Sequence, residues 1–124
     1  MTNTGKDITR TPEMDERYKK HKENNDLSSF VFDLDKEEII KDFKFWVVIT
    51  NAFPYDGVLS THHMLVPKRY FAESRDMNSE ERNELENIKD KVGETYDGLF
   101  ENFTHKRSVP VHFHIHLVEW KHWD

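Results

Sequence analysis

The chain has 124 residues and a formal net charge of −6, which suits one domain and disfavours the clustered basic surface that a nucleic acid polymer requires. No apolar run approaches the ~18 residues of a membrane span, so we expect no membrane partner. The chain contains no cysteine, which excludes disulfide scaffolds and cysteine metal sites and suits a reducing compartment such as the cytoplasm.

The first 26 residues are predicted to form a polar, flexible tail. The segment MTNTGKDITRTPEMDERYKKHKENND has mixed charge and almost no apolar side chains. It therefore cannot bury enough surface to order itself, although residues 15–22 could form a transient helix. Residues 27–124 are then expected to form a single folded domain.

Two apolar runs in the first half of this domain are typical of buried strands. Residues 45–50 (FWVVIT) and 61–66 (THHMLV) are rich in β-branched and aromatic side chains. Pro67 ends the second run, because proline cannot donate a hydrogen bond to a sheet. The segment between the two runs contains Pro54 and Gly57 and is predicted to be a loop.

One long helix is predicted from Asn78 onward. Asn78 and Glu81 have the spacing of a capping box, and apolar residues then recur at helical intervals as far as Phe103. A last strand follows over residues 109–120. This order of elements indicates an α+β domain with a mainly antiparallel sheet packed by one long helix.

Three histidines alternate with apolar residues in the last predicted strand. His112, His114 and His116 occupy every second position of VHFHIHLV. Strand geometry then places the three imidazoles on one face and the intervening side chains in the core. Neighbouring imidazoles resist becoming charged together, so one can act as a neutral nucleophile while another donates a hydrogen bond to phosphate. The pattern favours phosphoryl chemistry.

Two other interpretations of this strand stay open at this point. A His-x-His pair can bind a metal ion, with further ligands drawn from His62, His63 or acidic side chains. Alternatively, the strand lies at a sheet edge and presents a polar outer face to solvent. The phosphoryl interpretation requires that the three rings share one orientation and that they meet a cavity.

The histidine strand and an upstream segment together resemble the histidine triad (HIT) family. Residues 112–118 (HFHIHLV) fit the family signature without a gap. Residues 51–55 (NAFPY) and 61–69 (THHMLVPKR) look like the nucleotide-binding half of HIT hydrolases. The resemblance covers residues 30–118. It implies a HIT-like domain that forms a homodimer and needs no metal or other cofactor.

The resemblance also implies a role for each residue that matches the motifs. His114 would attack the α-phosphorus of a nucleoside phosphoramidate or a dinucleoside polyphosphate, forming a nucleotidyl-histidine that water hydrolyses. His112 and His116 would flank it, contacting phosphate or fixing the imidazole. The residues implied to bind substrate are Asn51 at the ribose hydroxyls, His62 near the phosphate and Asn102 at the leaving group. Ser108 does not match the family motif, but its hydroxyl could still donate to phosphate.

The sequence departs from the family pattern at several positions. Residues 107–108 (Arg-Ser) replace the Gly-Gln pair that often precedes the first histidine, and the interval from Asn51 to His62 is longer than in diadenosine polyphosphate hydrolases. A nucleotide-binding module without turnover is therefore an alternative to an enzyme. The aromatic C-terminus, with Trp120 and Trp123, would either pack on the domain or select substrate across a dimer.

Overall fold

The computed structural model describes residues 9–103 and 109–122, and in these ranges it contains an open five-stranded sheet and two α-helices. Every neighbouring pair of strands is antiparallel, which confirms the predicted α+β class. The elements in chain order are α1 (Pro12–Asn24), β1 (Ile39–Asp42), β2 (Trp46–Thr50), β3 (Leu59–Pro67), a 3-10 turn (Ser74–Asp76), α2 (Ser79–Val92), β4 (Gly98–Phe100) and β5 (Ile115–Trp120). The strand order across the sheet is β1-β2-β3-β5-β4.

The sheet carries an apolar core on each of its two faces. Side chains alternate along β2, so Trp46 and Val48 enter one core while Val47 and Ile49 enter the other. Helix α2 covers the first core, to which it contributes its buried apolar residues. The second core lies on the opposite face, where the chain before β1 packs against the sheet through Phe32.

Helix α2 begins as the sequence predicts. The Asn78 side chain accepts a hydrogen bond from the Glu81 N–H, and the Glu81 carboxylate accepts one from the Asn78 N–H, which completes the capping box. The apolar residues of the histidine strand, Phe113, Ile115 and Leu117, enter the core beneath this helix. Their shared face confirms the predicted alternation.

The prediction of one long helix reaching Phe103 is not confirmed. Helix α2 ends just before Gly93, and the chain then forms the short strand β4, in which Leu99 pairs with Leu117 of β5. Gly93 and Gly98 disfavour a continuing helix by about 1 kcal/mol each relative to alanine. The edge of β5 also offers hydrogen-bond partners that a continued helix would leave unused.

The predicted flexible tail is not confirmed for those of its residues that the structure describes. Helix α1 has Thr11 as its N-cap and Pro12 in its first turn. The Thr11 N–H and hydroxyl both donate to the Asp56 carboxylate, at 2.8 and 2.9 Å. The Gly57 N–H donates to the Thr9 carbonyl oxygen at 2.7 Å. The segment therefore docks on the β2–β3 loop. The predicted boundary between tail and domain at residue 27 stays a prediction.

The last strand is shorter than predicted. Strand β5 begins at Ile115, so two of the three alternating histidines precede the regular ladder. On the neighbouring strand, Pro67 has no N–H with which to extend the pairing. The Phe113 N–H donates instead to the Phe71 carbonyl oxygen at 2.7 Å. In the described part of the chain, no helix is long and apolar enough to cross a membrane.

Candidate active site

A cavity of about 330 Å³ lies on the sheet face opposite helix α2. Four of the residues singled out from the sequence line it, namely His114, His116, Asn51 and Asn102. Asn51 follows β2 directly, whereas the histidines come from β5 and the residues before it. The fold therefore brings together motifs that are separated by about half the chain.

One ring nitrogen of His114 is held by the backbone. Its Nδ1 lies 2.9 Å from the His112 carbonyl oxygen, and a carbonyl oxygen can only accept a hydrogen bond. The Nδ1 atom must therefore carry the proton, which leaves the lone pair of the neutral ring on Nε2. This tautomer is the one that a nucleophilic imidazole requires.

A chain of hydrogen bonds fixes the tautomers of His62 and His116. The Tyr55 N–H donates to His62 Nδ1 at 2.9 Å, so the proton of the neutral His62 ring is on Nε2. This Nε2–H donates to His116 Nδ1 at 2.7 Å. The proton of His116 must then be on its own Nε2. That atom is buried and has no hydrogen-bond partner within the part of the protein that the structure describes.

Burial keeps both of these rings neutral. It lowers the pKa of His62 to about 4, and the positive charge of Arg10 adds to the effect. It lowers the pKa of His116 to about 2, with further contributions from His114, His62 and Arg10. At pH 7, His116 therefore presents a neutral N–H donor beside His114, with the ring centroids 5.0 Å apart.

His112 is placed differently from the other two histidines of the triad. Its ring is fully buried, with Nδ1 accepting from the Phe32 N–H at 3.0 Å and Nε2 lying 3.3 Å from the Pro67 carbonyl oxygen. Burial lowers its pKa. The ring does not line the cavity. The His112 carbonyl oxygen nevertheless contributes to the site, because it orients His114.

Of the four substrate-binding residues predicted from the sequence, two line the cavity, one lies behind it and one is outside the described residues. The Asn51 Oδ1 accepts from the Phe53 N–H at 2.9 Å, and its Nδ2 lies 3.4 Å from both ring nitrogens of His62. His62 stands behind His116, to which it donates a hydrogen bond. Asn102 lines the cavity. Ser108 lies outside the described residues, as does Trp123, so the roles inferred for them stay predictions.

The N-terminal segment also contributes to this cavity, which its composition does not predict. Arg10, together with Tyr18 and His21 of helix α1, lines the wall that faces the histidines. We call residues 9–24 the N-terminal cover. Two features of the sequence indicate this helix and its inner face. Thr11-Pro12 is typical of a helix start, and Tyr18 and His21 lie three positions apart in an otherwise charged segment.

The histidines that the structure describes are not arranged as a metal site. Within residues 9–103 and 109–122, no group of three or more His, Asp or Glu side chains is arranged to hold a metal ion. The Nδ1 atoms of His62, His112 and His114 are each bonded to a backbone group. The metal-dependent alternative therefore gains no support from the positions of these side chains.

No protein-family model and no curated protein matches the sequence. The structure is nevertheless similar to that of a HIT family hydrolase from Legionella pneumophila Philadelphia 1, with a TM-score of 0.54 and 21% identity over 71% of this chain and 85% of that chain. It is also similar to a histidine triad protein from Clostridium difficile, with a TM-score of 0.50 and 15% identity over 71% of this chain and 82% of that one. These similarities confirm what the motifs predict: the chain has the fold of the histidine triad proteins.

Proposed function

We propose that this protein is a HIT-type nucleotide hydrolase or nucleotidyl transferase that acts at the α-phosphate through a covalent nucleotidyl-histidine. The observation that carries the proposal is the tautomer of His114, whose protonated Nδ1 is held by a carbonyl oxygen. Its Nε2 lone pair belongs to a ring that lines a cavity large enough for a nucleotide-sized ligand. The substrates would be nucleoside phosphoramidates or dinucleoside polyphosphates.

In the first step, His114 Nε2 attacks the α-phosphorus. A bond forms between Nε2 and phosphorus, and the bond from phosphorus to the leaving group breaks. The leaving group departs with the electron pair and takes a proton from solvent. The imidazole becomes cationic, and its Nδ1–H donates to the His112 carbonyl oxygen, which stabilises the positive charge.

In the second step, water attacks the same phosphorus atom. The bond from phosphorus to Nε2 breaks and returns its electron pair to His114, while the water proton goes to solvent. In a transferase reaction, another nucleophile takes the place of water. The nucleoside monophosphate is released, and the ring regains its neutral tautomer.

His116 is suited to stabilise the charge that develops on the phosphoryl oxygens. Its buried Nε2–H lacks a protein acceptor among the residues described, and an unpaired buried donor costs about 1–3 kcal/mol. A phosphoryl oxygen in the cavity would supply the acceptor. His62 holds the ring in this tautomer through its bond to Nδ1. We further propose that Asn51 binds the ribose, that Asn102 and Ser108 assist at the leaving group and phosphate, and that the protein is a homodimer.

The test is turnover of adenosine 5′-phosphoramidate, diadenosine triphosphate and diadenosine tetraphosphate by wild type and by His114→Ala. We expect His114→Ala to lose at least ~10³-fold in kcat, as the loss of a nucleophile predicts. His63→Gln is the matched control, since His63 bonds to the Tyr96 hydroxyl on the other face of the sheet.

Undiminished turnover by His114→Ala would eliminate the mechanism. Tight nucleotide binding by wild type without turnover of any substrate would favour the binding module. A stoichiometric transition metal, together with activity that a chelator abolishes, would favour the metal-dependent enzyme.

A further inference from the structure

Arg10 is held in a fixed position in the wall of the cavity. Its Nε–H donates to the Phe53 carbonyl oxygen at 3.0 Å. Its guanidinium carbon lies 4.0 Å from the ring centroid of Tyr18 and 4.8 Å from that of Tyr55. Two aromatic rings and one backbone bond therefore orient the guanidinium, and such contacts favour arginine over lysine.

The same tyrosine that contacts Arg10 also contacts the histidines. The Tyr55 ring centroid lies 4.6 Å from that of His62 and 6.1 Å from that of His116, and the Tyr55 and His116 rings are stacked. Arg10 also contributes to the lowered pKa values of both imidazoles. Its charge is therefore within electrostatic range of the groups that would surround the reacting phosphate.

An anionic phosphate would need a positive charge that the neutral histidines do not supply. A phosphate ester or anhydride is anionic, whereas His62 and His116 stay neutral near pH 7 because of their burial. Among the described residues that line the cavity, Arg10 carries the fixed positive charge, and Glu37 is a carboxyl group whose pKa is raised by burial. A guanidinium is the side chain best suited to donate two parallel hydrogen bonds to phosphate oxygens.

Hydrogen bonds of the residues on either side also fix the position of Arg10. On one side of Arg10, the Thr9 carbonyl oxygen accepts from the Gly57 N–H. On the other side, Thr11 makes two hydrogen bonds to the Asp56 carboxylate. Three consecutive residues are thus bonded to the β2–β3 loop, which also carries Tyr55.

We propose that Arg10 binds phosphate oxygens of the nucleotide, so that the N-terminal cover completes the substrate site instead of acting only as a surface helix. The inference rests on the proposed function for the identity of the ligand. It extends that function by assigning the recognition of phosphate charge to a residue outside the histidine motifs.

The experiment compares wild type, Arg10→Gln and Arg17→Gln in the full chain by calorimetric titration with AMP, adenosine and pyrophosphate. Arg17 is the matched control, since it lies on α1 with its guanidinium carbon 5.8 Å from the Phe53 ring centroid and does not line the cavity. We expect Arg10→Gln to weaken the binding of AMP and pyrophosphate about tenfold or more. Adenosine, which has no phosphate, should bind within about twofold of wild type, and Arg17→Gln should match wild type throughout.

Three results would overturn the inference. The first is unchanged affinity of Arg10→Gln for AMP. The second is an equal loss for adenosine and AMP, which would mean that Arg10 only holds the cover in place. The third is a wild type that binds neither AMP nor pyrophosphate.

The failure of the proposed function has a different signature. Arg10-dependent binding of AMP without turnover of any substrate would contradict the hydrolase or transferase and leave the phosphate contact in place. Arg10→Gln also loses its bond to Phe53, so Arg10→Lys provides a second variant. It keeps the charge and should bind AMP more tightly than Arg10→Gln, and equal affinity of the two variants would contradict the role of the charge.

Discussion

The two walls of the cavity are built in different ways. We call His114 and His116, which line the cavity, together with His62 behind them the histidine wall; each of the three is no more than 5% exposed and each is held by hydrogen bonds. The N-terminal cover faces it, and helix α1 of this cover has no buried residue. The cover is anchored instead by polar bonds to the β2–β3 loop and by contacts of its aromatic rings with Phe53. Under the proposed function, the chemistry belongs to the buried wall, and recognition of phosphate belongs to a wall that can open at low cost.

This difference also separates the effects expected from mutation. A change in the histidine wall should alter the rate of the chemical step, because the tautomers there depend on each other. A change in the cover should alter binding and local opening with little effect on the folded sheet. The following measurements test this separation, in order of decreasing expected effect.

Of these measurements, the largest effect is expected from removal of the buried donor of His116. In His116→Asn, the amide takes a position near Nδ1 and does not reach that of Nε2, so the donor is lost. We expect kcat to fall about 10²–10³-fold, as when one donor to a developing oxyanion is removed. His116→Gln is the matched control, since its amide reaches the Nε2 position and should retain more activity. An equal loss in both variants would contradict the role of the Nε2–H.

A smaller effect is expected when the cover loses its anchor. Asp56→Ala removes the acceptor of both Thr11 hydrogen bonds, which are worth roughly 2 kcal/mol together. Amide hydrogen exchange in α1 should become faster by the factor that corresponds to this loss of free energy. Exchange in α2 and β3 should stay unchanged. Asp15→Asn, which removes the ion-pair partner of Lys19 within α1 and leaves the bonds to Asp56 in place, should leave exchange close to wild type. Faster exchange throughout the protein would show that the cover is not a separate unit.

The smallest effect is a loss of stability below neutral pH. Burial lowers the pKa of His62 to about 4 and that of His116 to about 2, from a usual value of 6.5. The unfolded chain therefore binds more protons than the folded one below pH 6.5, so the free energy of unfolding falls as the pH drops through this window. We expect about 1 kcal/mol per histidine between pH 7 and roughly pH 5.5 by denaturant titration. His116→Asn should reduce this pH dependence, and stability that is constant or rises on acidification would contradict the neutral pair.

The histidine wall could be predicted in part because its pattern is local. The alternation of HFHIHLV places Phe113 and Ile115 in the core and leaves the intervening histidines on the other face. The tautomers of His62 and His116 could not be predicted in this way. They depend on the pairing of β3 with β5, which sets Met64 opposite His116 and brings His62 within hydrogen-bonding distance of that ring. Register of this kind depends on the whole sheet.

The N-terminal cover could not be predicted from composition. The segment has few apolar side chains, and such a composition predicts a flexible tail. Its order comes from directional bonds to Asp56 and from the contacts of Arg10 with Tyr18 and Tyr55. Asp56 and Tyr55 each lie 45 residues along the chain from their partners Thr11 and Arg10. Only the helix start at Thr11 is visible locally.

The end of helix α2 could not be predicted from local periodicity for a related reason. Apolar side chains at Leu99 and Phe103 continue the helical spacing, but Leu99 lies in β4 and Phe103 is exposed. A free strand edge on β5 competes with the helix for this segment, and that edge exists only in the folded sheet. Tertiary pairing therefore outweighs local periodicity here.

The most direct test of the central claim is to locate the covalent adduct. Wild-type protein should be mixed with adenosine 5′-phosphoramidate, quenched during a single turnover, digested and mapped by tandem mass spectrometry under conditions that preserve phosphorus–nitrogen bonds. We expect an adenylyl group on His114 and on no other histidine. An adenylyl group on His112 or His116, or its absence from every histidine while product forms, would contradict the account.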